Sequence, residues 1–128
     1  MLVITKNKYE IEEPVKALGE NEEILYEFTM QITPEEMGKI KKILLEEPFK
    51  IAQKDDKKEI YEDSLKLQEQ FEEIIFKEHK ETFKEKCGEY KYSEMVDLIY
   101  DFFMKAFIEK KTNHINTMNT NLKKITHN

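Results

Sequence analysis

Arginine and tryptophan are absent from this chain of 128 residues, and cysteine occurs only once. All 21 basic residues are therefore lysine, and 27 acidic residues bring the net charge to −6. Without guanidinium groups, and with a net negative charge, the chain is poorly suited to contact phosphates or guanine edges, so we expect no nucleic-acid partner. The single Cys87 excludes an intrachain disulfide framework.

Long apolar runs are also missing. No segment approaches the roughly 20 apolar residues that cross a bilayer, so we expect no membrane association. The apolar run at residues 2–4 is too short for the core of a signal peptide. These absences predict a cytoplasmic protein.

Catalytic and metal-binding patterns are scarce. The histidines His79, His114 and His127 have no cysteine or histidine three or four residues away, so no zinc site can be assembled. Only two serines occur, and the three glycines lie too far apart to form a phosphate-binding loop. The carboxylates occur mostly in adjacent pairs that are typical of solvated surfaces. We therefore predict a protein that is not an enzyme and has no metal or cofactor.

The N-terminal third has β character. Residues 24–32 alternate between apolar and polar side chains, which predicts a strand that pairs in a hairpin with the segment around Ile11, across a turn at residues 17–22. A helix then begins at Thr33, where a hydroxyl, a proline and Glu36 have the spacing of a capping box. We expect that helix to end at Pro48.

Two longer helices are predicted downstream. The first is highly charged and runs from about residue 55 to Cys87, with Gly88 as its terminator. The second begins at Ser93 and is apolar nearly all round, which predicts the central buried helix. An aromatic cluster is then most simply part of the core: Tyr90, Tyr92, Tyr100, Phe102, Phe103 and Phe107. The fold class is α+β, mostly α, with a small N-terminal antiparallel β segment, three or more helices and a long C-terminal helix.

The C-terminal segment has a different pattern. Seven positions follow the 4-3 spacing of a coiled coil, and we call them the tail seam: Met104, Ile108, Lys111, Ile115, Met118, Leu122 and Ile125. The intervening positions are rich in threonine and asparagine, which are poor helix formers. Such a segment becomes ordered by what it contacts. Two interpretations stay open, a helix that folds back on its own domain and a helix used between molecules.

We accordingly predict one α+β domain over residues 1–110 and a helical tail over residues 111–128. The tail would serve self-association or partner binding. Its predicted partner-binding residues are the apolar seam positions Ile108, Ile115, Met118, Leu122 and Ile125.

The order of these elements resembles the tail assembly chaperones of long-tailed bacteriophages and related phage-tail-like particles. The segments that carry the resemblance are the strand at residues 24–30, the helix start at 33–36, the Cys-Gly element at 86–90 and the apolar helix start at 92–99. The resemblance implies a non-catalytic protein in the host cytoplasm that binds the tape measure protein or another tail protein. It also implies a homo-oligomer.

The alternative is an acidic inhibitor of the antidefence type, encoded by a phage and directed at a host protein. Net charge −6 permits it. Against it, lysines are interspersed among the acids, which makes a poor mimic of phosphate. Binding by such a mimic should weaken steeply with salt, whereas binding through apolar surface should not.

Overall fold

The computed structural model describes the backbone of residues 1–3 and 8–126, and the side chains of residues 1–3 and 8–109. Within these ranges, two strands are followed by helices: β1 (Ile11–Leu18), β2 (Ile24–Ile32), α1 (Pro34–Lys41), α2 (Glu47–Ala52), α3 (Lys57–Phe76), α4 (Lys80–Cys87) and α5 (Glu89–Thr126). A π-helical turn (Lys42–Glu46) joins α1 to α2, and a 3-10 turn (Lys77–His79) joins α3 to α4. The predicted fold class is confirmed.

The two strands pair antiparallel, with Val15 opposite Phe28 and a bulge between Ala17 and Leu18. The predicted apolar face of β2 is confirmed at Phe28, Met30 and Ile32, which are all buried. The predicted start of the turn is wrong, because Ala17 is buried within β1. The loop closes later, where the Gly19 amide donates to the Glu23 carbonyl over 2.8 Å.

The first helix begins as its sequence predicts. The Thr33 hydroxyl accepts from the Glu36 amide over 3.1 Å, and the Thr33 amide donates to the Glu36 carboxylate over 3.0 Å. The predicted end at Pro48 is wrong, since helical structure continues through the π-helical turn into α2. Pro48 lies in the first turn of α2, directly after the π-helical turn.

The predicted single helix from residue 55 to Cys87 is interrupted after Phe76. The break lies at Lys77, whose φ of 51° and ψ of −126° are not helical. The Lys77 ammonium donates to the Gln31 carbonyl of β2 and, over 3.2 Å, to Glu36 of α1. Contacts with two other elements thus accompany a backbone conformation that local sequence does not favour.

Aromatic rings fill the core between β2 and the helices that follow it. Phe28 packs on Phe76 with ring centroids 5.5 Å apart, and Phe83 lies 5.7 Å from Phe76. The ring centroids of Tyr92 and Phe76 are 4.8 Å apart. The predicted aromatic core is therefore only partly right, because Tyr92 and Phe103 are buried whereas Tyr90 is 78% exposed.

The chain forms two compact units, Met1–Ser93 and Glu94–Asn128. The predicted boundary between residues 110 and 111 remains a prediction. In the part of the chain that the structure describes, no helix is both long and apolar enough to span a bilayer.

Candidate interaction surface on the last helix

The last helix begins where the Cys-Gly element ends α4. Gly88 has a φ of 87°, and its amide donates to the Lys84 carbonyl over 2.8 Å. This left-handed conformation favours glycine, because a Cβ atom would be strained there. The helix α5 starts at Glu89, so the predicted start at Ser93 is wrong. Its 38 residues correspond to a length of about 57 Å.

The side chains of α5 are buried along one face only. Val96, Ile99 and Phe103 recur at three- and four-residue spacing and are all buried. Leu98 and Ile108, in contrast, are 62% and 58% exposed. The prediction that this helix is buried all round is therefore wrong. Apolar residues lie on most sides of the helix, but one apolar face is buried and another is exposed.

The predicted partner-binding residues all lie in α5. Ile108 is the one whose side chain the structure describes, and it is exposed. At 100° per residue it lies about 140° around the helix from the fully buried Phe103. The side chains of Ile115, Met118, Leu122 and Ile125 lie outside the described residues, although their backbone is helical. Their role remains a prediction.

A buried polar cluster joins α3, α4 and the start of α5. The Tyr92 hydroxyl donates a hydrogen bond to Oε1 of Glu72, and the Lys80 Nζ lies 3.5 Å from the same oxygen. Glu72 is 6% exposed, so its charge is held by these two partners. The Lys84 Nζ lies over the Tyr92 ring, 4.8 Å from its centroid. Burial and the hydrogen bond to Glu72 raise the pKa of Tyr92 far above its usual value.

A cavity of about 300 Å³ lies beside this cluster, with Leu65, Gln68 and Glu69 among its lining residues. The sequence analysis missed the cluster, because the acidic pairs were interpreted as solvated surface. The signal was present at Glu72, which lies four residues before the core residue Phe76 and therefore on the same face of α3. A carboxylate on a buried face must find partners there.

The remaining candidate groups have structural partners. Nδ1 of His79 and the Tyr26 hydroxyl are 2.6 Å apart in a shared hydrogen bond, and the His79 ring stacks on Phe28 at 4.8 Å. Partial burial raises the pKa of the Cys87 thiol, although the nearby Lys91 opposes this. Such a thiol is a poor nucleophile near neutral pH. Across residues 1–3 and 8–109, no three or more His, Cys, Asp or Glu side chains are grouped so that they could hold a metal ion.

The exposed face of α5 is thus the described feature best suited to contact another molecule. Exposed leucine and isoleucine on a helix are the groups that helix-in-groove and coiled-coil contacts bury. The Glu72 cluster, in contrast, has its polar groups satisfied within the chain. No protein-family model, no curated protein and no solved structure matches this chain.

Proposed function

We propose that this protein is a non-catalytic tail assembly chaperone of a long-tailed bacteriophage or a phage-tail-like particle. It acts in the host cytoplasm, where it binds the tape measure protein, tail-tube subunits or both while the tail assembles. The observation that carries this proposal is the exposed apolar face of α5. The order of elements that resembles such chaperones supports it.

The expected free energy of binding suits a partner that is bound and later released. Burial of Leu98, Phe102 and Ile108 contributes roughly 1.5 to 3 kcal/mol for each side chain that becomes fully covered, and less for one that is already half covered. Association and side-chain ordering cost several kcal/mol and offset much of this gain. The balance favours a contact that forms and dissociates, as a chaperone requires.

The rest of the surface suits the same role. Net charge −6 keeps a protein with exposed apolar groups soluble through mutual repulsion. Methionine at two tail-seam positions, Met104 and Met118, adds side chains that adapt to irregular partner surfaces.

The direct test is coexpression with a tape measure protein encoded beside this chain. We expect a soluble complex that the tape measure protein does not form alone, and that persists at 1 M NaCl. Ile108→Asp should abolish capture without lowering the melting temperature, because Ile108 is exposed. Phe49→Asp is the matched control. Phe49 is 73% exposed on α2, in the other unit, and we expect full capture.

Loss of capture in both variants, or in neither, would contradict the placement of the binding surface on α5. If capture fails with wild-type protein, the proposed function is wrong. A complex that instead dissociates between 0.1 and 0.5 M NaCl would favour the acidic inhibitor, because screening weakens contacts between exposed charges.

A further inference from the structure

The cavity beside the Glu72 cluster has features of a small-molecule site. All of its lining residues lie on α3, α4 and the start of α5, within the unit Met1–Ser93. Its volume of about 300 Å³ is at the lower end of the range for small-molecule sites. Glu72 and Tyr92 both line it and are 6% and 5% exposed, so they form its floor. Because that floor is already hydrogen-bonded, it can receive a ligand without rearranging.

The walls of the cavity carry charges of both signs that do not pair with each other. Lys84 of α4 is half-buried, and its Nζ lies 4.8 Å from the centroid of the Tyr92 ring. Glu69 of α3 and Glu89 of α5 are exposed at the rim. Among the residues whose side chains the structure describes, none of opposite charge lies within 4 Å of these three groups. The cavity therefore keeps an ammonium group apart from two carboxylates.

This charge distribution favours a ligand that carries both charges. A simple anion would meet the two rim carboxylates, and a simple cation would meet Lys84 and Lys80, so each would have an unfavourable contact. A zwitterion can instead place its carboxylate at the lysine wall and its ammonium group at the rim, where both form charge-assisted hydrogen bonds. Leu65, which is 44% exposed at the same cavity, offers apolar surface to the rest of such a ligand.

We propose that this cavity binds a free α-amino acid with an apolar side chain. Lys84 holds its carboxylate, Glu69 and Glu89 hold its ammonium group, and Leu65 contacts its side chain. The site goes beyond the proposed function and does not depend on it, because the apolar face assigned to the tail proteins belongs to Glu94–Asn128.

Titration of the ¹⁵N-labelled full chain, followed by nuclear magnetic resonance, tests the site with three probes of similar size. L-Leucine carries both charges, L-leucinamide lacks the carboxylate, and 4-methylpentanoate lacks the ammonium group. We expect L-leucine to shift the amide signals of residues 88–93 with a Kd of about 1 mM or lower. Each analogue should bind about tenfold more weakly, since it loses a charged hydrogen bond. An analogue that binds as tightly as L-leucine, or no shift with L-leucine at about 20 mM, would overturn the proposal.

Substitutions assign the two ends of the ligand. Lys84→Met and Glu69→Gln should each weaken L-leucine binding about tenfold. The matched controls are Lys86→Met on α4 and Glu73→Gln on α3, which remove exposed charges outside the cavity and should change the Kd less than about twofold.

L-Leucinamide separates direct contact from a general disturbance of the fold. Lys84→Met should not weaken its binding, because this probe has no carboxylate for Lys84 to hold. Equal weakening of L-leucine and L-leucinamide would overturn the assigned role of Lys84. Glu69 is exposed, so Glu69→Gln tests the site even if Lys84→Met does not fold. Unchanged L-leucine binding in Glu69→Gln would overturn the rim contact.

Discussion

The buried hydrogen bond between Tyr92 and Glu72 can be removed by one substitution that changes little else. Tyr92→Phe deletes the hydroxyl but keeps the ring, which lies 4.8 Å from Phe76 and 5.9 Å from Phe83. The variant therefore isolates the polar contact from the aromatic packing.

The expected loss of stability follows from the surroundings of Glu72 in the Tyr92→Phe variant. Glu72 is 6% exposed and would keep only Lys80, 3.5 Å away. A buried charged acceptor that loses one partner costs about 1.5 to 3 kcal/mol, so we expect the free energy of unfolding to fall by about 2 kcal/mol. For a chain of this length that corresponds to a decrease in melting temperature of roughly 6 to 10 °C.

Urea unfolding followed by circular dichroism measures this cost. Tyr61→Phe is the control, because Tyr61 is 65% exposed and its hydroxyl should be dispensable. Replacing both partners, in Tyr92→Phe with Glu72→Met, should cost less than Tyr92→Phe alone, since no charge stays buried without its partner. A change below about 0.5 kcal/mol in Tyr92→Phe would refute the assignment of Tyr92 as a required partner of Glu72.

The raised pKa of Tyr92 adds a pH signature to the same variant. Below pH 10, the usual pKa of tyrosine, Tyr92 is protonated in both states and its contribution is complete. Above that pH the unfolded chain loses the proton while the folded chain keeps it, so stability falls by up to about 1.4 kcal/mol per pH unit. Tyr92→Phe should lack this part of the alkaline decline. Identical slopes in both proteins would contradict the burial of the hydroxyl.

Two further substitutions test the fold at other points. Burial raises the pKa of Glu36, but the hydrogen bond from the Thr33 amide and the contact with Lys77 outweigh it and leave the pKa lowered. Glu36→Gln should therefore cost roughly 0.5 to 1 kcal/mol at pH 7, and the difference should shrink as the pH falls below 4.5 and the carboxylate takes up a proton. A difference that does not change with pH would contradict this. Phe103→Ala should lower the free energy of unfolding by about 3 to 5 kcal/mol, because Phe103 is fully buried. Phe102 is 39% exposed, so Phe102→Ala should lower it by only about 1 kcal/mol in the same urea unfolding assay. Equal costs would contradict the assigned face of α5.

Features that depend on neighbours in the sequence were predictable. The capping box at Thr33 and Glu36 satisfies amides within one turn of helix, so local spacing determines it. The alternation along residues 24–32 identified the buried face of β2, because a strand turns its side chains to opposite sides in strict order. Gly88 ended a helix as predicted, since few other residues adopt its backbone conformation.

Features that depend on distant contacts were not predictable. The break at Lys77 lacks a glycine or proline, and its conformation is accompanied by bonds to Gln31 and Glu36, more than 40 residues away in sequence. The burial of Glu72 likewise requires Tyr92 and Lys80 from other helices. The order of charged residues along α3 does not by itself show which carboxylate contacts Tyr92 and Lys80.

By itself, the sequence determined the hairpin, the capped first helix, the glycine boundary before α5 and the class of the fold, because each follows from backbone geometry within a few residues. The tertiary structure decided which face of α5 is buried. Leu98 and Ile99 are adjacent and equally apolar, yet one is 62% and the other 5% exposed. Hydrophobicity drives both from water with nearly the same strength, so only the placement of a packing surface decides which of the two is covered.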